Sequence, residues 1–508
     1  MNGREMSDPA IVARKPANAD GRPPAEAAEP RTGAEGNTDR QRTLRAQDRA
    51  SVTQRLARVR QVAREKKERL TTLLHHISVD LLRLSFFALK RDAAPGVDGM
   101  TWRDYERELE PRLAALHDRV HSGAYRPEPS RRRYIPKPDG RQRPLAVAAL
   151  EDKIVQRATA TVLNAIYEED FLGFSYGFRS RRSQHDALDA LVVGITSRKI
   201  NWILDADIRS FFDAVSQDWL IRFLEHRIAD RRILRLIRKW LKAGILEDGV
   251  VSVSDRGTGQ GSVISPLLAN VYLHYVFDLW AERWRRRQAA GDMIVVRYAD
   301  DTIVGFEHEA DSRRFLEAMR ERLAAFALEL HPEKTRLIEF GRNAAQNRAR
   351  RGLGKPETFN FLGFTFISGQ SRPGKFLVKR KSRRDRLRTK LQEIKGELQR
   401  RMHEPIPEQG KWLRQVITGY FNYHAVPTNI EALRDFRDAA VRLWRRSLAR
   451  RSQLDGGSWS RMTKLAGNWL PAPRILHPWP SERFAVTHPR WEPYAGKPHV
   501  RFCAGGTQ

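Results

Sequence analysis

A chain of 508 residues with 92 Lys and Arg against 61 Asp and Glu carries a formal charge of +31. That length suggests about three domains, and the charge asks for a polyanionic partner, nucleic acid being the obvious one. The single cysteine, Cys503, excludes a disulfide framework and any cysteine-based zinc site and fits a reducing cytoplasm, while the lack of a long apolar run or a signal-peptide core predicts a soluble protein with no membrane partner.

Residues 1–52 are rich in Ala, Pro, Gly, Arg and Glu and hold no aromatic residue, so a disordered tail is expected there. From Val52 to Lys90 the spacing of Leu56, Val59, Val62, Leu73, Leu74, Ile77, Leu81 and Leu82 predicts a helical extension. Alternating helical and short β segments follow to about Gly369. Within them, Lys137 and Arg143 bracket a Pro138-Asp139-Gly140 turn, which is either a hairpin tip able to hold two cations over a triphosphate or a solvated basic turn.

Trp202 to Ile208 reads as a strand with Asp205 and Asp207 on one face, running into Arg209-Ser210-Phe211-Phe212-Asp213. Asp213 is expected to cap the next helix, and Asp205 to support the site. The glycine-rich loop 257–261 lets backbone approach a ligand closely and places Gln260 beside it. Ser265 and Pro266 are the expected N-cap and first turn of a helix burying Leu268, Val271, Tyr275 and Leu279. Two apolar strands, Met293 to Val296 and Thr302 to Phe306, flank Arg297-Tyr298-Ala299-Asp300-Asp301. Neighbouring strand residues point to opposite faces, so Asp300 and Asp301 serve one site only if the chain turns between the strands. The motif is then a hairpin with metal ligands at its tip, or else an Asp-rich turn. Together with Asp207 it meets the need of two-metal phosphoryl chemistry, carboxylates from separate strands around ions roughly 4 Å apart.

Leu328 to Thr335 reads as a helix end followed by a strand, with Lys334 either near primer or active-site phosphates or at the surface. After Lys379 the pattern becomes long, basic and helical. Tyr420, Phe421 and Tyr423 are expected mostly in a bundle core, whereas Trp444, Arg445, Arg446, Arg450 and Arg451 are the RNA-contact candidates, since rings stack on bases and arginines meet phosphates. Basic clusters at 131–133, at Arg179, Arg181 and Arg182, and at 285–287, 379–388 and 445–451 suggest an extended phosphate-tracking surface. His477 and His488 read as structural or surface residues, and 481–508 as a short basic tail.

Three boxes in order, Asp207 to Asp213, Gln260 to Asn270 and Tyr298-Ala299-Asp300-Asp301, resemble those of group II intron reverse transcriptases and maturases. Further matches are Gly96-Val97-Asp98-Gly99, Ile135 to Gly140 leading into Arg143-Pro144-Leu145, Gly177-Phe178-Arg179 and Phe361-Leu362-Gly363-Phe364, so the resemblance runs from about Leu81 to about Pro480. It implies an α/β right-hand polymerase fold, with the helical extension, the fingers and a palm bearing an antiparallel sheet over 53–369, then an α-helical thumb and maturase domain over 370–480. The implied activity is RNA-directed DNA polymerisation with two Mg²⁺ ions, for which Mn²⁺ substitutes, alongside binding of a structured group II intron RNA.

By the same resemblance Asp207, Asp300, Asp301 and the backbone carbonyl of Ile208 hold the ions, and Lys137, Arg143 and Gln260 hold the dNTP. Phe211 matches the aromatic residue that blocks a ribose 2′-hydroxyl, or is a core residue beside Phe212. Gly363 lies in the hairpin that matches the family's primer grip. The implied partners are an RNA template, a DNA primer, dNTPs, intron RNA and target DNA, in a bacterial cytoplasm or at its nucleoid. Gly259 stands where the family usually has Pro, and Ser262 where it often has Gly, which bears on loop rigidity. Residues 481–508 leave no room for an HNH endonuclease, so mobility would need another primer, such as a nascent strand. Two other readings stand beside this one: a non-catalytic RNA-binding splicing factor, which predicts decayed acids although all three are present, and a domesticated reverse transcriptase of DNA repair or phage defence.

Overall fold

The strand Trp202–Ala206 lies in the middle of a four-stranded antiparallel sheet, between Asp301–Phe306 and Arg336–Glu339, with Met293–Tyr298 outermost. These strands belong to a computed structural model that describes residues 35–65, 68–136, 142–259, 261–451 and 458–487. The sheet is covered on both faces, which is why its strands read as continuous apolar runs instead of alternating ones. Leu204, Val295, Val304 and Phe306 face one core with Ile154, Val155, Leu268 and Phe315. Ile203, Ile294, Val296 and Ile303 face the other, with Leu188 and Leu191 of the helix Gln184–Ser197 and Phe359, Phe364 and Phe366 of a three-stranded sheet. That second sheet orders Phe376–Ser382, Phe364–Gln370 and Phe359–Phe361, all antiparallel. A third sheet pairs Ser130–Pro136 antiparallel with Gln142–Val147 and parallel with Ile245–Glu247, which carries Val250–Ser252 on its far side.

The helix Glu35–Glu65 crosses the limit expected at residue 52, so residues 35–52 are helical and not a disordered tail. Composition missed this because few apolar residues suffice when they recur on one face: Val52, Leu56, Val59 and Ala63 are three or four apart and pack on the main core. The helical pattern predicted through Lys90 is interrupted, since Leu73 and Leu74 are buried around a single short 3₁₀ turn before the helix Val79–Phe87 begins at the Ser78 cap.

The boundary placed at 369/370 falls inside the hairpin of Phe364–Gln370 and Phe376–Ser382, and the long helices begin at Arg384. Four of them, Arg384–Arg400, Ile406–His424, Ile430–Ala449 and Trp459–Trp469, enclose a separate core around Leu413, Ile417, Phe436 and Trp444. Tyr420 stacks on Phe436 at 3.8 Å between centroids. The chain then turns back, Leu476 N–H donating to the Ala425 carbonyl at 2.9 Å, and the helix Pro480–Thr487 packs on Gln184–Ser197. Residues 481–487 are therefore part of a docked helix and not of a loose tail. Arg483 of that helix and Arg380 of the second sheet both pair with the buried Asp189, at 3.2 and 2.9 Å. Among the described residues no helix is long and apolar enough to cross a membrane.

Candidate active site

Tyr298 pairs with Asp301 across the outer hairpin of the main sheet, leaving Ala299 and Asp300 as a two-residue tip. Ala299 has φ +57°, left-handed and unusual for a residue with a side chain. The tip rests on Gly177, where a Cβ would stand 2.2 Å from the Ala299 nitrogen. Segment 174–177 lies against the hairpin like a further strand, Tyr176 N–H donating to the Arg297 carbonyl at 2.8 Å and Arg297 N–H to the Phe174 carbonyl at 2.9 Å. Only glycine permits that approach.

The sheet register brings the acids together. Ala206 opposes Thr302 and Asp205 opposes Arg336, so Asp207 faces Asp301 one step beyond the first pair and Lys334 two steps beyond the second. The Lys334 ammonium, 52% exposed, sits 2.8 Å from the Asp207 carboxylate. Asp207 carbonyl accepts from His331 N–H at 2.7 Å, and Arg209 N–H donates to the Glu329 carbonyl at 2.8 Å. This flanks Ile208 and Leu330 as a pair not bonded to each other, which turns the Ile208 carbonyl to the Asp300 side.

Burial and then the charges of Asp300, Asp207 and Asp205 push the Asp301 carboxyl up to about 7. Asp301 still reaches solvent, so the neighbouring carboxylates are the part a cation would relieve. Burial also raises Asp205, to about 6, with Arg336 and Arg383 opposing and Asp207 adding to the rise. Four carboxylates in mutual repulsion, with one lysine ammonium already drawn in, suit a divalent ion. Among the described residues no three His, Cys, Asp or Glu side chains converge as a ready metal cage.

The structure thus brings Asp207, Asp300, Asp301 and Lys334 together. Lys137 and Gln260, and the side chain of Arg143, lie outside the described residues. Phe211 is in the core, 3% exposed and edge-on to Tyr272, and Phe212 is the half-buried ring at this position. Asp213 lies inside the short helix Phe211–Ala214, exposed, and Ser216 caps the following helix by accepting from Trp219 N–H. Ser265 is the first helical residue and not its cap, its hydroxyl donating to the Gly259 carbonyl at 3.0 Å.

Leu362 and Gly363 form the tip between Phe359–Phe361 and Phe364–Gln370, with φ +45° and +82°. Tyr423 donates its hydroxyl proton to the Leu362 carbonyl at 2.7 Å, and Arg383 N–H donates to the Gly363 carbonyl at 3.1 Å. Of the RNA candidates, Trp444 is fully buried and donates to Gln409, so it is core. Arg445 lies over the Trp459 ring at 4.5 Å, and Arg446, Arg450 and Arg451 are exposed. Arg179 is buried against Glu168 and the Leu172 and Ser175 carbonyls and is unfit to track phosphates. Sequence reasoning missed Arg297, fully buried in an otherwise apolar strand. A charge inside such a run was the available signal.

The family described as reverse transcriptase (RNA-dependent DNA polymerase) matches residues 135–366. Protein YkfC of Escherichia coli K12 is 32% identical over 320 residues, covering 56% of this chain and 78% of that protein. The group II intron-encoded protein LtrA of Lactococcus lactis subsp. cremoris is 37% identical over 166 residues, 32% of this chain and 27% of LtrA. Nuclear intron maturase 3 of Arabidopsis thaliana is 29% identical over 129 residues, 25% of this chain and 18% of that protein. The chain thus spans most of the first relative and about a quarter or less of the other two. The match covers the acidic sheet and carries with it the right-hand polymerase fold of a family that generally uses divalent metal ions; the chain belongs to the reverse transcriptase family.

Proposed function

We propose that this chain copies RNA into DNA and also binds a group II intron RNA as a maturase. The observation that carries the polymerase reading is the convergence of Asp207 with the Asp300-Asp301 tip, which follows from the register of Ala206 with Thr302 and of Tyr298 with Asp301. In this reading the four-stranded sheet is the palm, the sheet containing Ser130–Pro136 belongs to the fingers, and the helices from Arg384 onward make the thumb and maturase region.

Asp207, Asp300 and the Ile208 carbonyl would hold two Mg²⁺ ions, with Mn²⁺ as a substitute and Asp301 completing the set. Bound there, the ions would activate the primer 3′-hydroxyl and neutralise the departing pyrophosphate. Lys334, now on Asp207, is placed to turn to a phosphate once that carboxylate is otherwise engaged. Lys137, Arg143 and Gln260 remain the residues proposed for the dNTP, and Phe212 replaces Phe211 as the ring able to meet its sugar. Beside the loop that leads to Gln260, a cavity of about 320 Å³ is lined by Ala146, Gln156, Asp213, Gln217, Thr258 and Ser265. The Leu362-Gly363 tip presents backbone to the primer. Exposed Arg446, Arg450 and Arg451 would meet intron RNA, and target DNA would share the same basic surface.

Primer extension on an RNA template with dNTPs and Mg²⁺, beside the Asp300→Ala/Asp301→Ala variant, tests this. Extension by the parent and none by the variant supports the reading. Tight RNA binding without extension by the parent would sink it and favour a splicing factor.

A further inference from the structure

We infer that Arg297 is a positioning residue that fixes the Ala299–Asp300 peptide, and through it the metal-binding direction of Asp300, by way of a buried relay to Asp278 and Asn270. The inference rests on the polymerase reading of the acids.

A guanidinium without water is tolerated only where its donors are all engaged. Arg297 has five N–H donors, and each finds a separate acceptor. Nε and Nη2 reach the two Asp278 oxygens at 2.7 and 2.6 Å, and Nη2 also reaches Ser175 Oγ at 2.7 Å. Nη1 donates to Asn270 Oδ1 at 3.0 Å and to the Ala299 carbonyl at 2.9 Å. Four of these acceptors belong to the surroundings, and the fifth is the carbonyl of the left-handed residue at the acidic tip. That carbonyl shares a rigid plane with the Asp300 nitrogen, so holding it sets the axis about which Asp300 projects.

The other end of the relay is shaped for this task. The helix beginning at Ser265 passes through a π-turn, His274–Asp278, before continuing as Leu279–Arg287. Such insertions re-aim side chains and occur often at functional sites. Here Asp278, fully buried, meets the arginine fork with both oxygens. Asn270, two turns earlier, donates from Nδ2 to the Gly177 carbonyl at 2.7 Å. The segment beneath the tip and the arginine behind it are thereby joined through one amide. Lysine at 297 would keep a charge for Asp278 and lose the planar fork that reaches Asn270 and Ala299 together.

The test uses full-length Arg297→Lys. Mn²⁺ binding is measured by electron paramagnetic resonance without nucleic acid or dNTP, next to primer-extension kinetics and thermal unfolding. We expect Mn²⁺ affinity to fall about tenfold and kcat about 10- to 100-fold, with KM for dNTP and primer–template binding within about twofold. Mn²⁺ affinity and kcat within about twofold of the parent would overturn the inference, as would unaltered Mn²⁺ binding with joint losses of melting temperature and primer–template affinity. If Arg297→Lys does not fold, Asn270→Ala, which leaves the Arg297–Asp278 pair in place, is put to the same measurements and the same criteria. Asp207→Asn separates this inference from the reading beneath it: parent Mn²⁺ binding that ignores Asp207→Asn overturns both, whereas binding that needs Asp207 and ignores Arg297→Lys overturns only the positioning role.

Discussion

Adding one methyl group at Gly177 should disable the site while leaving the chain folded. An alanine Cβ there would lie 2.2 Å from the Ala299 nitrogen, 2.9 Å from the Tyr298 carbonyl carbon and 3.0 Å from the Ala299 Cα. All three are backbone atoms, so no side chain can swing aside, and ordinary contact begins near 3.4 Å. One partner must therefore retreat by about 1 Å. The underlying segment is held by the Tyr176–Arg297 and Arg297–Phe174 backbone bonds and by Asn270 on the Gly177 carbonyl. The tip is a two-residue turn beyond the Tyr298–Asp301 pair, and it is expected to take most of the shift. A displacement of about 1 Å at reacting groups costs about 10²-fold in rate, near 2.7 kcal/mol of barrier, while overpacking costs about 1–3 kcal/mol of stability. Single-turnover primer extension at saturating dNTP should show the rate loss for Gly177→Ala, with RNA retention on filters unchanged. A rate within about twofold of the parent in a folded variant would refute the claim that Gly177 sets the height of the acids.

Two further outcomes are expected. Tyr423→Phe removes the donor to the Leu362 carbonyl, a loss of about 1 kcal/mol; KM for primer–template should rise several-fold with KM for dNTP constant, and an equal rise in both would place Tyr423 elsewhere in the mechanism. Burial holds the His424 imidazole down at about 4, below its ordinary 6.5. Its contribution is complete above pH 6.5 and is lost as pH falls toward 4, because the unfolded chain takes the proton first, amounting to about 3 kcal/mol. Asp301, raised from 3.8 to about 7, acts in the opposite sense, its contribution being present at low pH and lost as pH rises through 7. From pH 7 to 5 the urea midpoint of His424→Gln should therefore fall less, or rise more, than that of the parent, and identical changes would remove His424 as a source of acid sensitivity.

Much of the acidic centre was legible because strand periodicity and a two-residue tip leave few ways to arrange Asp207, Asp300 and Asp301. The segment just after Asp207 was not. Ser210 adopts φ +45°, so the even–odd alternation of the strand ends there and cannot tell which of Phe211 and Phe212 turns inward. Trp444 misleads for a different reason. Its interleaving with arginines suggests an RNA surface, yet Leu433, Phe436, Ala440 and Trp444 recur at helical spacing and share the buried face. Arg297 and Arg179 count as cations by composition, and only tertiary packing supplies the carboxylates and carbonyls that take them out of solvent. The docking of Pro480–Thr487 likewise depends on Asp189, a residue in a helix that sequence alone does not join to it.

That carboxylate also bears on how the molecule is made. Ribosomal synthesis releases N-terminal units first, at about 5–20 residues per second. Asp189 emerges well before Arg380, and Arg483 follows later still. Until both arrive, the helix Gln184–Ser197 presents an incompletely neutralised acid and a bare flank to the ribosome's surroundings. Closure of this flank is thus deferred until the helix Pro480–Thr487 has been made, an interval in which a chaperone can reach the nascent protein before that helix seals the joint.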